Sequence, residues 1–595
     1  MSNSMRNTLW WIAGATLMVA VALLALPEAY VDGHYLPSNV DAFYHARRIL
    51  DSVMSGAPIA QFDARMQVPE GGLVSWPWAY DAAMAHITRL FGPFGDQAAA
   101  NRVLMNIPVA AGTLAIALVI VLGRQLRLAS WQLALLLLGF IALPSVHDFF
   151  AVGNVDHHFA ESLWTAMGIC SGIWWLRDPR RFFPAVVLGT VLGSANGIHT
   201  GLFVLQVPIV CWFVLQWLRG AALPPWRVVA AFAAALVATT LAMCLPSLAL
   251  RQGAFQFYLL SWFHVYVAVA SALACVATAL LPRKPLAIGA FAAAALLVAL
   301  PLLGNLRMGA QFIGGGLDAT QDIVEMRNAY AITLSDDLSS VPDFLWLVWL
   351  AAPAALFAAW LAWRSDDAAE RFYGIAAALG LVLLQFQFRL HVYGELALVA
   401  TPLLAARIMA QHWPGAARKV ALCAAAVFLV ALLPARNLLG EKRYLAGYVG
   451  FAEFRSVFPV LHDACARQPG IVLAGLEAGH WVRYFSDCSV IGNVFLVTPQ
   501  EAAKARETRH LMNLAPEELL ATRPDVAYVF AFHSLPLVPG VEPDLDMYRA
   551  YLPRLEFALL GPQEQLPRQF RPLWTAVTPK GQVYARLVAI ERPPL

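Results

Sequence analysis

Apolar runs long enough to cross a bilayer recur from Leu9 to about Pro434, and that repetition constrains the fold more than any other feature. Lipid offers no partner for backbone N–H and C=O groups, so each run must close its own hydrogen bonds as a helix. At 59% hydrophobic and 13% charged residues the chain lies outside the range of ordinary soluble domains. A rise of ~1.5 Å per residue across ~30 Å of hydrocarbon gives about thirteen transmembrane helices. Their centres fall near Val19, Ile116, Leu137, Met167, Val187, Ile209, Ala234, Val267, Ala292, Trp349, Ala378, Val399 and Val427. The run between Ala185 and Leu218 is interrupted by Ala195-Asn-Gly-Ile-His-Thr200. The first run resembles a signal peptide in length but lacks a convincing small-x-small cleavage site.

Basic residues orient these spans. Arg6, Arg124/Arg127, Arg177/Arg180/Arg181, Arg219/Arg227, Arg283/Lys284, Arg364/Arg371 and Arg407/Arg418/Lys419 occupy alternate gaps. The positive-inside rule then makes the N-terminus cytoplasmic, and an odd span count sends everything after about Arg436 to the other face. The gap 34–97, the loop around Asp156, the gap 304–342 and the C-terminal tail share that outer face. The expected setting is the cytoplasmic membrane of a bacterium or archaeon, with site and tail periplasmic or extracellular. A net charge of +3 gives no case for nucleic acid.

From about residue 441 the texture changes. Gly470-Ile-Val-Leu-Ala-Gly475 and Asp525-Val-Ala-Tyr-Val-Phe-Ala-Phe532 read as strands, and Pro499–Leu514 as a helix. The expectation is a polytopic α-helical membrane domain, 1–440, followed by a soluble α/β domain, 441–595. Cys465 and Cys488 are the two cysteines of that domain. In an oxidising compartment they could pair, and two buried thiols are equally compatible with the sequence.

Ionisable residues beside the hydrocarbon edge are the candidates for chemistry, because lipid cannot hydrate them. The densest group is Asp156, His157, His158 and Glu161 in Val152-Gly-Asn-Val-Asp-His-His-Phe-Ala-Glu161. Carboxylate and imidazole together suit a divalent metal. An extended Asp156-His157-His158 would point Asp156 and His158 the same way, leaving His157 and Glu161 as supporting groups. Asp41, in Asn39-Val-Asp-Ala-Phe-Tyr-His-Ala-Arg-Arg48, reads either as a helix cap or as a ligand. Asp63 and Asp81 read as structural. Asp322 and Glu325 follow the loop Gly314-Gly-Gly316. Arg389, at the outer end of a span, could snorkel to headgroups or grip a phosphate bidentately. Gly475-Leu-Glu-Ala-Gly-His-Trp481 joins a strand to a helix in the outer domain.

In order along the chain, these segments resemble the motifs of the oligosaccharyltransferase catalytic-subunit family, of bacterial and archaeal single-subunit type. Asp41-Ala-Phe-Tyr-His-Ala-Arg-Arg48 is similar to its first acidic motif, and Gly153-Asn-Val-Asp-His-His158 to its second, in Asp-x-His form. Asp322-Ile-Val-Glu325 resembles the motif of its fifth external loop, and Arg389 stands at its phosphate-binding arginine. The resemblance implies a C-type membrane glycosyltransferase fold and Mn2+ or Mg2+ held by Asp41, Asp156, His158 and Glu325, with Asp41, Asp156 and Glu325 catalytic. It implies a polyprenyl-(di)phosphate-linked glycan donor met by Arg389, inverting transfer, and a polypeptide acceptor read at Glu477, His480 and Trp481. Where the family has Trp-Trp-Asp-Tyr-Gly, this chain has Gly475-Leu-Glu-Ala-Gly479. A lipid, glycan or non-sequon protein acceptor therefore stands beside the asparagine sequon. A transporter or flippase is the alternative of a different class, favoured by the break at Ala195–Thr200.

Overall fold

The computed structural model describes residues 3–92, 95–313, 341–412, 455–532, 552–578 and 581–591. Among these, seven helices are long and apolar enough to cross a membrane: Met5–Ala29, Gln97–Gln125, Thr200–Arg219, Trp226–Cys244, Trp262–Leu280, Pro285–Ala310 and Ala368–Phe386. The centres expected near Leu137, Met167, Val187, Trp349 and Val399 also fall inside helices, Ser130–Ala142, His158–Arg177, Phe182–Ile198, Val341–Arg364 and Glu395–His412. The centre at Val427 and the domain boundary near 440 lie outside the described residues. Pro285–Ala299 is fifteen residues of almost pure hydrocarbon with no buried position. Such a surface is intelligible facing lipid and costly facing water.

Three helices carry the site, labelled α1 (Val40–Ser55), α2 (His158–Arg177) and α3 (Phe182–Ile198). The start of α1 is capped by Asn39, whose side-chain oxygen accepts from the Ala42 amide at 2.7 Å. Capping is thus not the task of Asp41, which sits in the first turn of α1. The Asn39 amide donates to Asn154 Oδ1 at 2.6 Å, and the Ser38 amide to the Gly153 carbonyl at 3.0 Å. These bonds moor the head of α1 to the loop holding Asp156. Gly189 and Gly193 let α3 lie directly on the Trp226–Cys244 helix. A Cβ at either would approach the Phe232 or Leu236 carbonyl oxygen to 2.5 and 2.7 Å. Small residues four apart permit this backbone approach. Below that contact α3 stops at Ile198, and His199 turns extended before a short 3-10 helix, Thr200–Gln206. The interruption read in the sequence is therefore a real break, and it presents His199.

The C-terminal segment is α/β, as its texture implies. Strands β1 (Ile471–Ala474), β2 (Ser489–Val490), β3 (Val526–Phe532), β4 (Phe570–Val577) and β5 (Val583–Ile590) form one sheet in the order β2-β1-β3-β5-β4. The first three are parallel, and β5 runs antiparallel to both β3 and β4. Helix α4 (Val457–Arg467) precedes the sheet, and α5 (Leu476–Phe485) crosses from β1 to β2. Cys465 and Cys488 are joined in a disulfide. The first polar gap completes the edge of this sheet: Val490 N–H donates to the Arg65 carbonyl at 2.8 Å, and Val68 N–H to the Val490 carbonyl at 3.3 Å. Lys504, buried, bonds the Val68 carbonyl at 2.9 Å and Glu70 at 2.9 Å. Asp63 pairs with Arg483 at 3.2 Å and accepts from Tyr44 at 3.1 Å, the structural part read for it.

Candidate active site

Asp156 is the hub. The Tyr80 hydroxyl donates to the Val155 and Asp156 carbonyls at 3.0 and 3.1 Å, fixing the loop beneath it. One Asp156 oxygen, Oδ1, accepts from the His157 amide at 2.6 Å, meets His157 Nδ1 at 2.8 Å and lies 3.6 Å from His45 Nε2. The other, Oδ2, faces His158 Nε2 at 3.4 Å. His157 is not extended; it is the helical cap residue before His158, the first residue of α2. The expected meeting of Asp156 with His158 nevertheless occurs, through the turn rather than through strand alternation.

Glu161, one turn along α2, serves two imidazoles. Its Oε2 meets His158 Nδ1 at 2.7 Å, and its Oε1 lies 2.6 Å from His199 Nδ1. A carboxylate on Nδ1 directs the Nε2 lone pair outward, the arrangement that orients histidines toward metals. His158 Nε2 thus stands beside Asp156 Oδ2 with its tautomer set from behind. Burial pushes the Asp156 carboxyl up, but His158, His157 and His45 outweigh it and hold it well below the ordinary carboxylate range. Burial also pushes the His157 imidazole down to about 4.

His45 and Asp81 extend the network. His45 Nδ1 meets Asp81 Oδ1 at 2.6 Å, and Asp81 Oδ2 pairs with Arg48 at 2.5 Å. Trp76 stacks on His45 with ring centroids 3.8 Å apart. Asp41 and His45 are four apart in α1 and share a face. Since His45 reaches Asp156, that face carries Asp41 toward the same loop. Asp41 Oδ1 also lies 3.5 Å from His480 Nδ1. Among the described residues two sets of three bring metal-ligand atoms within 4.8 Å of one another: His45/Asp156/His157 and His157/Glu161/His199. Asp41 and His158 belong to neither.

The remaining expectations divide. Arg389 lies half-buried in a 3-10 turn, Phe388–Tyr393, within electrostatic range of His158. In the same turn His391 packs on Phe149 at 4.9 Å, and Phe149 on His158 at 5.1 Å, so this turn closes one wall. Glu325 and Asp322 lie outside the described residues. Glu477 is exposed in the first turn of α5. Trp481 is not displayed for an acceptor: it is buried between Phe458 and Phe532, at 6.3 and 5.9 Å, because α5 turns that face onto the sheet. His480 is likewise buried; its Nδ1 donates to the Val40 carbonyl at 3.2 Å and its ring stacks on Tyr44 at 5.2 Å. Burial pushes its imidazole down to about 3. It joins the C-terminal segment to the head of α1 instead of facing outward.

Sequence reasoning passed over His45, Asp81 as partner rather than scaffold, His199 and Glu395. The i, i+4 spacing of Asp41 and His45 was a usable signal. Glu395 is buried and accepts from Ser145 at 2.9 Å and Ser162 at 2.6 Å, contacts that no local pattern announces.

No protein-family profile and no curated protein sequence matches the chain. Solved structures do. The archaeal oligosaccharyltransferase AglB from Archaeoglobus fulgidus, in complex with an inhibitory peptide and a dolichol-phosphate, superposes with a TM-score of 0.69 at 15% identity, over 99% of this chain and 75% of that one. The Archaeoglobus fulgidus enzyme tethered to an acceptor peptide gives 0.69 at 14% identity, over 99% and 74%. Its complex with zinc and sulfate gives 0.62 at 15%, over 97% and 72%. Over nearly its whole length, this chain has the fold of an archaeal oligosaccharyltransferase.

Proposed function

We propose that the chain is a metal-dependent inverting glycosyltransferase that moves a sugar or oligosaccharide from a polyprenyl-(di)phosphate donor to an acceptor. The observation that carries this is the Asp156–His158 pair, 3.4 Å apart, with Glu161 on the far nitrogen of His158. An anionic carboxylate beside an outward imidazole lone pair is a donor set that fits a divalent cation. Asp156, His158 and Asp41 would hold Mn2+ or Mg2+, with Glu325 as a fourth ligand from the 304–342 gap. When bound, the ion offsets negative charge on the departing phosphate. Arg389, within electrostatic range of His158, would grip that phosphate, and its fork geometry suits phosphate oxygens. Asp81 and Arg48 keep His45 in place, and His45 keeps Asp156 from swinging away. Zinc and sulfate bound to an Archaeoglobus fulgidus oligosaccharyltransferase, and dolichol-phosphate bound to AglB of that organism, support a metal and a lipid-phosphate site in this fold.

This reading includes about thirteen spans with the N-terminus cytoplasmic, as the charge pattern requires. It puts the site on the outer face together with an extracytoplasmic domain, 441–595, against a transmembrane domain, 1–440. The Cys465–Cys488 disulfide supports an oxidising location for that domain. A single subunit would then hold both donor and acceptor sites, bathed by membrane lipid.

Stripping divalent metal with a chelator should abolish transfer from extracted lipid-linked glycan, and Mn2+ or Mg2+ should restore it. Full activity in a metal-free preparation would remove the metal from the mechanism. An asparagine sequon is the first acceptor to assay, with Asn-x-Ser/Thr peptides. A different acceptor is favoured by one observation: the turn at Gly475–Gly479 lacks both tryptophans, and Trp481 is committed to the core. Glu477→Ala should raise the acceptor KM roughly 10-fold, a loss of ~1.4 kcal/mol, while donor binding stays put. Equal weakening of donor binding would refute an acceptor role for Glu477.

A further inference from the structure

We propose that His157, Glu161 and His199 form a second cation site, of nitrogen-rich character suited to Zn(II), adjoining the Asp156–His158 position. One ligand atom from each lies within 4.8 Å of the others. The two rings are nearly parallel, at 16°, with centroids 4.8 Å apart. His157 is buried, and Asp156 occupies its Nδ1 at 2.8 Å. Among the described residues its Nε2 has no hydrogen-bond partner. An imidazole oriented through Nδ1 by a carboxylate, with an orphan Nε2 in the interior, is costly unless the lone pair is used. His199 Nδ1 lies 2.6 Å from Glu161 Oε1, which fixes its ring beside the carboxylate. Two imidazoles and one carboxylate with ligand atoms this close describe a borderline transition-metal site better than a hydrogen-bond chain.

The set differs from the hard-cation position in ligand chemistry and in parentage. It joins the loop before α2 to the residue immediately after α3, so a bound ion would clamp the break at Ile198–Thr200. Three protein ligands leave one position open, and His199, 22% exposed, is the side from which water or an anionic oxygen could enter. The proposal does not depend on glycosyl transfer, because its readout is metal content.

The full chain in nanodiscs, stripped with chelator and titrated with Zn(II) alone, should bind one equivalent that survives Asp41→Asn. His199→Ala should weaken that equivalent by at least about 100-fold. Undiminished Zn(II) binding in folded His199→Ala, or no retained Zn(II) in the wild type, would overturn the site. If His199→Ala does not fold, Co(II) in the wild-type chain decides. Intense tetrahedral d–d bands support the triad, whereas only the weak bands of an octahedral oxygen-bound ion, at two equivalents of Co(II), sink it.

Discussion

Asp156→Asn should lower kcat/KM for glycan transfer by roughly 1000-fold, the equivalent of ~4 kcal/mol of transition-state stabilisation. The substitution is nearly isosteric. Its remaining oxygen can still accept from the His157 amide, now 2.6 Å away, so the loop has no reason to unfold. What disappears is the negative charge that faces His45 at 3.6 Å, His157 at 2.8 Å and His158 at 3.4 Å. A neutral amide cannot offset a divalent cation, and its NH2 would donate to the His158 Nε2 lone pair, engaging the nitrogen that a cation would use. Donor binding should change far less, because Arg389 and the apolar body do not depend on Asp156. Paired assays of lipid-phosphate binding and transfer, on protein with wild-type thermal stability, test this. Transfer within 10-fold of wild type would remove Asp156 from the reaction.

The parts of this site that were legible in the sequence share one property: their signals are local. Asp156, His157, His158 and Glu161 stand together because a polar gap between two apolar runs is visible at once. The strand at Ile471–Ala474, the helix at Pro499–Met512 and the strand at Val526–Phe532 follow from composition and period. His199 was visible as part of a break, but its use was not. Only the packing of α3 against α2, where Trp164 Nε1 donates to Ser194 Oγ at 2.9 Å, brings that break beside Glu161. His45 and Asp81 were hidden for the same reason, since their pairing joins residues 36 positions apart. Trp481 misled because adjacency to a recognition turn in sequence does not decide which face of α5 meets the sheet. The i, i+4 relation of Asp41 and His45 needed no structure, only the question of what else shares that helical face.

Replacing Cys465 and Cys488 together by serine should destabilise the C-terminal segment by roughly 3 kcal/mol, since the bond closes a loop spanning 23 positions. The consequence should reach α1. The disulfide ties the end of α4 to the start of β2, while Phe458 and Phe485 stack at 4.4 Å between α4 and α5. Asp487, beside Cys488, pairs with Arg47 of α1 at 3.1 Å and with Arg65 of the first polar gap. From the same side His480 holds the Val40 carbonyl and approaches Asp41. Loosening β2 therefore loosens the contacts that seat the head of α1, whereas Asp156, His158 and Arg389 keep their own supports. Hydrogen exchange in nanodiscs should show opening of β1, β2 and α5 increased by roughly 100-fold, the ratio that ~3 kcal/mol sets. Donor binding should persist while transfer falls. Unchanged protection across Ile471–Val490 would show that packing alone fixes this segment, and that the covalent tie contributes nothing to how Asp41 is presented.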